Sequence, residues 1–130
     1  MLRLDAVDQR IVAALTSDAR SSYADIGARV ALSAPAVKRR VDRLRAAGVI
    51  RGFTAIVDPA AVGWGTEAFV ELFCVGRTSP SQIAAAARRH PEVVAAYTVS
   101  GDADALVHLR AADIRHLEQA LERLRAEPFV

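Results

Sequence analysis

A single cysteine in 130 residues leaves nothing to build a disulfide framework on. Cys74 sits inside the apolar run "FVELFCV", and a chain without disulfides suits a reducing cytoplasm. Long apolar runs are lacking too. None approaches the ~18 residues that a membrane span needs, so no membrane partner is expected. The opening "MLRLDAVDQR" carries acids early and has no apolar core, so no secretion signal is read there. The three histidines, His90, His108 and His116, are scattered, and no HExxH or Cys/His spacing occurs. No metal and no cofactor are therefore expected. Ser100, Asp102, Asp104 and His108 crowd together, but no GxSxG elbow accompanies them, so no catalytic residue is assigned. "GVIRG" has two glycines without a phosphate-loop or dinucleotide pattern.

What is present is a chain able to form a core: 52% of its residues are hydrophobic and 25% charged. Its net charge of +2 hides an asymmetry. Residues 1–52 hold ten basic and five acidic side chains, net +5; residues 53–130 hold seven and ten, net −3. Two units with different partners are the natural reading. The expected division is 1–52, a connecting strand and loop over 53–66, and 67–130. The "DPAAVGWG" stretch, with Pro59, Gly63 and Gly65, marks the change.

The first unit reads as three helices. Asp5 is placed to cap the first, whose apolar positions Val7, Ile11 and Leu15 recur every four residues. Ser22, with Asp25 three residues on, has the capping-box form, and Ile26 and Val30 follow on one face. Ser33 caps the third helix, Pro35 falls in its first turn, Val37, Val41 and Leu44 make its seam, and Gly48 ends it. "VIRGFTAIVDP" then alternates like a strand.

The second unit reads β-α-β-β-α. "EAFVELFCV" (67–75) looks apolar on both faces except at Glu67 and Glu71, as a central strand covered on both sides would be. A helix starts at "TSPSQ" and runs through His90. "VVAAYTVS" (93–100) and "ALVHL" (105–109) are strands joined by the turn "GDAD". Ile114, Leu117, Leu121 and Leu124 line a last helix. This is the split βαβ plan without its final strand.

"SAPAVKRRVDRLRAAG" carries the densest positive charge of the chain on the third helix. Its seam turns Lys38, Arg39 and Arg43 outward. The preceding short helix offers Gly27 where two helices would cross. That is helix-turn-helix geometry, with the second helix free to enter a major groove. Arginines reach phosphates and pair bidentately with guanine, and the N–H groups near Ser33 and Ala34 suit a phosphate. Arg40 is open to either of two roles, on the duplex or on an acid inside the domain. The expected partner is double-stranded DNA, with a contact set of Ser22, Ser33, Ala34, Ala36, Lys38, Arg39, Arg40 and Arg43.

"LDAVDQRIVAALTSDAR", "LSAPAVKRRVDRLRAAGVIRGFTA", "DPAAVG" and "VSGDADALV" resemble, in that order, the signatures of the leucine-responsive/AsnC (feast/famine) transcription regulators. The resemblance covers nearly the whole chain. It implies an α+β protein: an N-terminal winged helix-turn-helix followed by a ferredoxin-like sensing domain, whose last strand this chain lacks. It implies dimers, often octamers, that bind amino acids or similar metabolites. Two positions depart from the pattern. Ala31 stands in the helix–helix turn where the family favours Gly for its positive φ, and Ala103 replaces an aromatic residue of "GD-x-D".

The resemblance and the turn chemistry together place an effector around Tyr97, Ser100, Gly101, Asp102 and Asp104. A carboxylate there suits a ligand ammonium, and Gly101 lets a ligand carboxylate approach backbone N–H groups. The expected function is a DNA-binding regulator that responds to an amino acid. Alternatives are an enzyme on the same scaffold, similar to the sirohaem decarboxylases, for which His108 with Arg110 would be the tetrapyrrole candidates, or a DNA-packaging protein without an effector.

Overall fold

A computed structural model describes residues 2–130, and the chain falls into two compact units that part between Ala55 and Ile56. The first holds three helices: α1 (Ala6–Ser17), α2 (Tyr23–Val30) and α3 (Ala34–Ala46). Each start is set by a side chain that accepts an otherwise orphaned backbone N–H. Asp5 accepts from Asp8 at 2.7 Å and Asp8 returns the bond at 3.2 Å. Ser22 accepts from Asp25 at 3.0 Å, and Ser33 from Ala36 at 3.3 Å. Gly48, with φ 76°, stands just past the Ala47 cap of α3. Ile11, Leu15, Ile26, Val30, Val37 and Val41 form the core, and Leu44 is fully buried.

The α2–α3 turn is tight. A Cβ at Gly27 would lie 2.3 Å from the Leu32 carbonyl oxygen, which explains the small residue at the crossing. Ala31 is left-handed, φ 59° and ψ 42°, the one non-glycine residue with positive φ among the described residues. The turn keeps its shape, and Ala bears the strain that Gly would avoid.

The alternating stretch after α3 does not form a strand. Residues 51–58 have no regular structure, and Ile56 is fully exposed. A β-branched pattern makes a strand only where a neighbour completes the ladder, and among the described residues none does.

The second unit is a three-stranded antiparallel sheet with two helices: β1 (Thr66–Leu72), α4 (Pro80–Ala87), β2 (Val93–Tyr97), β3 (Ala105–Ala111) and α5 (Ile114–Arg125). The strand order is β1-β3-β2. β1 is therefore an edge strand and not a central one, and the helices of the chain cover one of its faces. Leu72 faces the helices beside Val107, Leu109, Ile83 and Leu124, while Glu67, Phe69 and Glu71 lie on the open face. Opposite them on β3 stand Arg110, His108 and Leu106. The aromatic content of "EAFVELFCV" looks two-sided only because Phe69 and Phe73 belong to an exposed face. α4 stops at Ala87, and His90 turns in to Glu127 at 2.8 Å.

Glu92, only 3% exposed, ties the start of β2 to α5. It accepts from Arg123 at 3.2 Å and from His116 at 3.1 Å. The other nitrogen of His116 accepts the Ala112 N–H at 3.0 Å, so the ring proton sits on Nε2 and points at Glu92. Burial pushes the Glu92 carboxyl up, but Arg123, a backbone bond and His116 outweigh it and hold it at about 2.

Replacing Ala31→Gly should relieve the left-handed turn and raise the stability of the first unit by about 1 kcal/mol in urea unfolding. Gly27→Ala should lower it, since backbone must move to admit the methyl group.

Candidate nucleic-acid interface and effector turn

The α3 seam leaves five cations on the remaining faces: Lys38, Arg39, Arg40, Arg43 and Arg45. Most of them are already occupied. Arg40 places Nη1 2.7 Å and 2.9 Å from the two Asp5 oxygens and 3.0 Å from Asp8. Arg43 places Nη2 3.2 Å and 3.3 Å from the Asp8 carboxylate. Lys38 Nζ lies 2.7 Å from Asp42, one turn along the helix. Arg45 stands over the Phe53 ring at 5.6 Å. Arg39 is exposed and has no acidic partner among the described residues.

These pairs strengthen both charges. The Arg40 hydrogen bonds hold the Asp5 carboxyl below its usual range, and Asp42 pushes the Lys38 ammonium up. Of Arg40's two open roles, the structure takes the internal one. That Arg43 shares Asp8 was not read from the sequence. The two acids lie 35 and 32 positions before Arg40, and no local spacing signals such a pair.

The rest of the DNA set falls at helix starts. The hydroxyls of Ser22 and Ser33 are spent on capping, Ala34 and Ala36 are half-buried, and Pro35 has no N–H to offer. The polar surface that α3 leaves open is therefore Arg39, flanked by Lys38 and Arg43 in ion pairs that solvent reaches.

The turn between β2 and β3 brings its residues to the surface. Tyr97 is 51% exposed at the end of β2, and Ser100, Gly101, Asp102 and Asp104 are not buried. Gly101 has φ 120°, which a side chain rarely adopts. Ala103 turns inward and is buried. Asp104 is anchored: its carboxylate accepts the Cys74 N–H at 2.7 Å, and its own N–H donates to the Leu72 carbonyl at 2.8 Å. One carboxylate oxygen thus extends the β1–β3 ladder and the other is free. Cys74 packs beside the core, and burial, with Asp104 nearby, pushes its thiol up, the opposite of a reactive cysteine.

His108 and Arg110 lie on the open sheet face. His108 stacks flat on Phe69, centroids 4.4 Å apart, with Nε2 2.5 Å from Glu67; Arg110 reaches the same carboxylate at 3.3 Å. No group of three ligands able to hold a metal ion occurs among the described residues.

Comparison with known proteins gives both halves of the chain a counterpart. Residues 4–45 match the AsnC-type helix-turn-helix domain, and residues 67–130 match the Lrp/AsnC ligand binding domain. An HTH-type transcriptional regulator of Mycobacterium tuberculosis is 57% identical over 130 residues, spanning 100% of this chain and 88% of that protein. The leucine-responsive regulatory protein of Rhizobium meliloti is 34% identical over 128 residues, 96% of this chain and 82% of its own. Among solved structures, a transcriptional regulator of Neisseria meningitidis in complex with L-Met superimposes with a TM-score of 0.84 at 28% identity. That match covers 95% of this chain and 82% of the other.

The ion pairs divide the arginines of α3 into two kinds, which unfolding can separate. Arg40→Ala leaves the buried Asp8 short of a partner and should cost about 1–3 kcal/mol in urea denaturation. Arg39→Ala should change stability by no more than about 0.5 kcal/mol.

Proposed function

This chain belongs to the Lrp/AsnC family of transcriptional regulators, and from that premise we propose how its residues divide the work: α3 reads DNA, the turn at 97–104 receives an amino acid, and copies of the chain associate. The protein is a DNA-binding regulator with a ligand-binding domain. The units we assign are 1–52 for DNA, 53–66 as the connection and 67–130 for effector and assembly. The observation that carries the DNA reading is α3 itself. It is capped, packed by its seam through the Gly27 crossing, and presents Arg39 with Lys38 and Arg43 beside it. Ser22, Ser33, Ala34 and Ala36 lie at the helix starts; the N–H groups of Ser33 and Ala34 suit a phosphate, and that of Ala36 is spent on the Ser33 cap. Arg40 stands apart from this set: its pairs with Asp5 and Asp8 hold α3 in place rather than meet the duplex.

The effector reading rests on the turn. Gly101 leaves backbone open to a ligand carboxylate, and the free oxygens of Asp102 and Asp104 suit an ammonium. Ser100 and Tyr97 supply hydroxyls at the rim. The Neisseria relative bound to L-Met supports an amino acid as the class of ligand. Association is supported by the open sheet face, where Phe69, Phe73 and Tyr97 are each more than half exposed. A two-fold pair would bury such a face and set two recognition helices about one DNA turn, or a multiple, apart. We assign no enzymatic role: His108 and Arg110 are both committed to Glu67. No helix is long and apolar enough to cross a membrane among the described residues, and we place the protein in the cytoplasm.

The double change Arg39→Ala, Arg43→Ala should weaken duplex binding and flatten the slope of log affinity against log salt by about 0.9 for the phosphate that Arg39 no longer neutralises, since the charge of Arg43 is already met by Asp8. An unchanged affinity and slope would remove α3 from the interface. Light scattering should show a dimer or larger, and an amino acid should shift its assembly or melting. Asp104→Ala should abolish that shift without altering DNA binding in the absence of ligand. A stable monomer at micromolar concentration, or a normal response in the variant, would contradict these assignments.

A further inference from the structure

Five cations on a recognition helix would be expected to bind any duplex. Sequence-independent affinity grows with every phosphate that a lysine or arginine neutralises. Yet three carboxylates stand against those five cations: Asp5 and Asp8 at the start of α1 and Asp42 from α3 itself. Two cations, Arg39 and Arg45, are left with no acidic partner among the described residues.

We propose that Asp5, Asp8 and Asp42 are specificity-determining residues, which keep Arg40, Arg43 and Lys38 in internal ion pairs and so suppress binding to arbitrary DNA. This rests on the reading that α3 meets the duplex. A paired guanidinium keeps its directional donors but offers little net charge to a phosphate. Arg43 engages Asp8 through Nη2 alone, so Nη1 and Nε remain available to base-edge acceptors while the charge is compensated. The pairs differ in strength. Lys38–Asp42 is exposed, with the lysine N-terminal to the acid, the weaker orientation on a helix. It yields first, and only where a groove supplies a better acceptor. Arg40, shared by Asp5 and the buried Asp8, stays with the protein.

The experiment titrates a random-sequence duplex between 50 and 200 mM salt, a range over which phosphate-bound cations register clearly. It compares wild type, Asp42→Asn, the double variant Asp42→Asn with Lys38→Ala, and Glu118→Gln on α5 as a control of equal charge change. Asp42→Asn touches only an exposed pair, so its fold is safe, and Asp8→Asn serves as a second, more disruptive variant. We expect Asp42→Asn to bind more tightly at the low-salt end and to weaken by an extra factor of about three across the range for each additional phosphate neutralised. Removing the released lysine should restore the wild-type slope, and Glu118→Gln should leave it unchanged. An unchanged or shallower slope in Asp42→Asn overturns the proposal, as does equal steepening in Glu118→Gln. Failure of the wild type to bind the duplex at all would instead strike the DNA-binding reading beneath it.

Discussion

A carboxylate with 1% of its surface exposed, in a bundle of three short helices, has to be paired or it destabilises everything around it. Asp8 is that carboxylate. Its partners come from α3, and its own oxygens also cap α1 by closing the box with Asp5. The start of α1 and the middle of α3 are therefore one electrostatic unit. The apolar seam sets how deeply α3 sits, and the arginines of Asp8 add a constraint on its rotation, because residues 40 and 43 must both reach one point. The face that α3 leaves open is settled by these two constraints together.

The second unit obeys a simpler rule. Its helices cover one side of a three-stranded sheet, with Leu109, Val107 and Leu72 beneath them. The other side carries aromatic rings that water does not favour, arranged in register: Phe69 against His108, Leu106 against Tyr97. Glu92 gives this thin layer rigidity at the α5 edge by holding Arg123 and His116 at once.

What could be read in the sequence was what local chemistry determines. The caps at Asp5, Ser22 and Ser33 and the small residue at 27 each follow from a residue and its near neighbours, and so does the order of elements in the second unit. The positive φ at 31 was legible only through the family resemblance, since alanine itself signals none. Where the reading failed, the missing information was tertiary. The stretch after α3 has strand composition but no partner strand among the described residues. β1 has the aromatic content of a covered strand but sits at an edge. On α3, exposure could be inferred from the helical period, whereas the acids awaiting Arg40 and Arg43 could not, since they stand on another helix. At the turn between β2 and β3, Gly101 and the acids were visible as types. The bond from Cys74 to Asp104 depends on strand register, which no short motif encodes.

The only tryptophan, Trp64, points its edge at His116, ring centroids 5.1 Å apart, within the second unit. The first unit has no tryptophan, so its sole phenol, Tyr23, is its only strong near-ultraviolet chromophore. Indole emission from this protein is thus a private signal of residues 56–130. Backbone circular dichroism, by contrast, sums the helices of both halves. Tyrosine absorbance is shared between Tyr23 and Tyr97, so indole emission alone reports one unit: it follows the melting of the second half in an unlabelled sample, and its difference from the circular dichroism reveals the first.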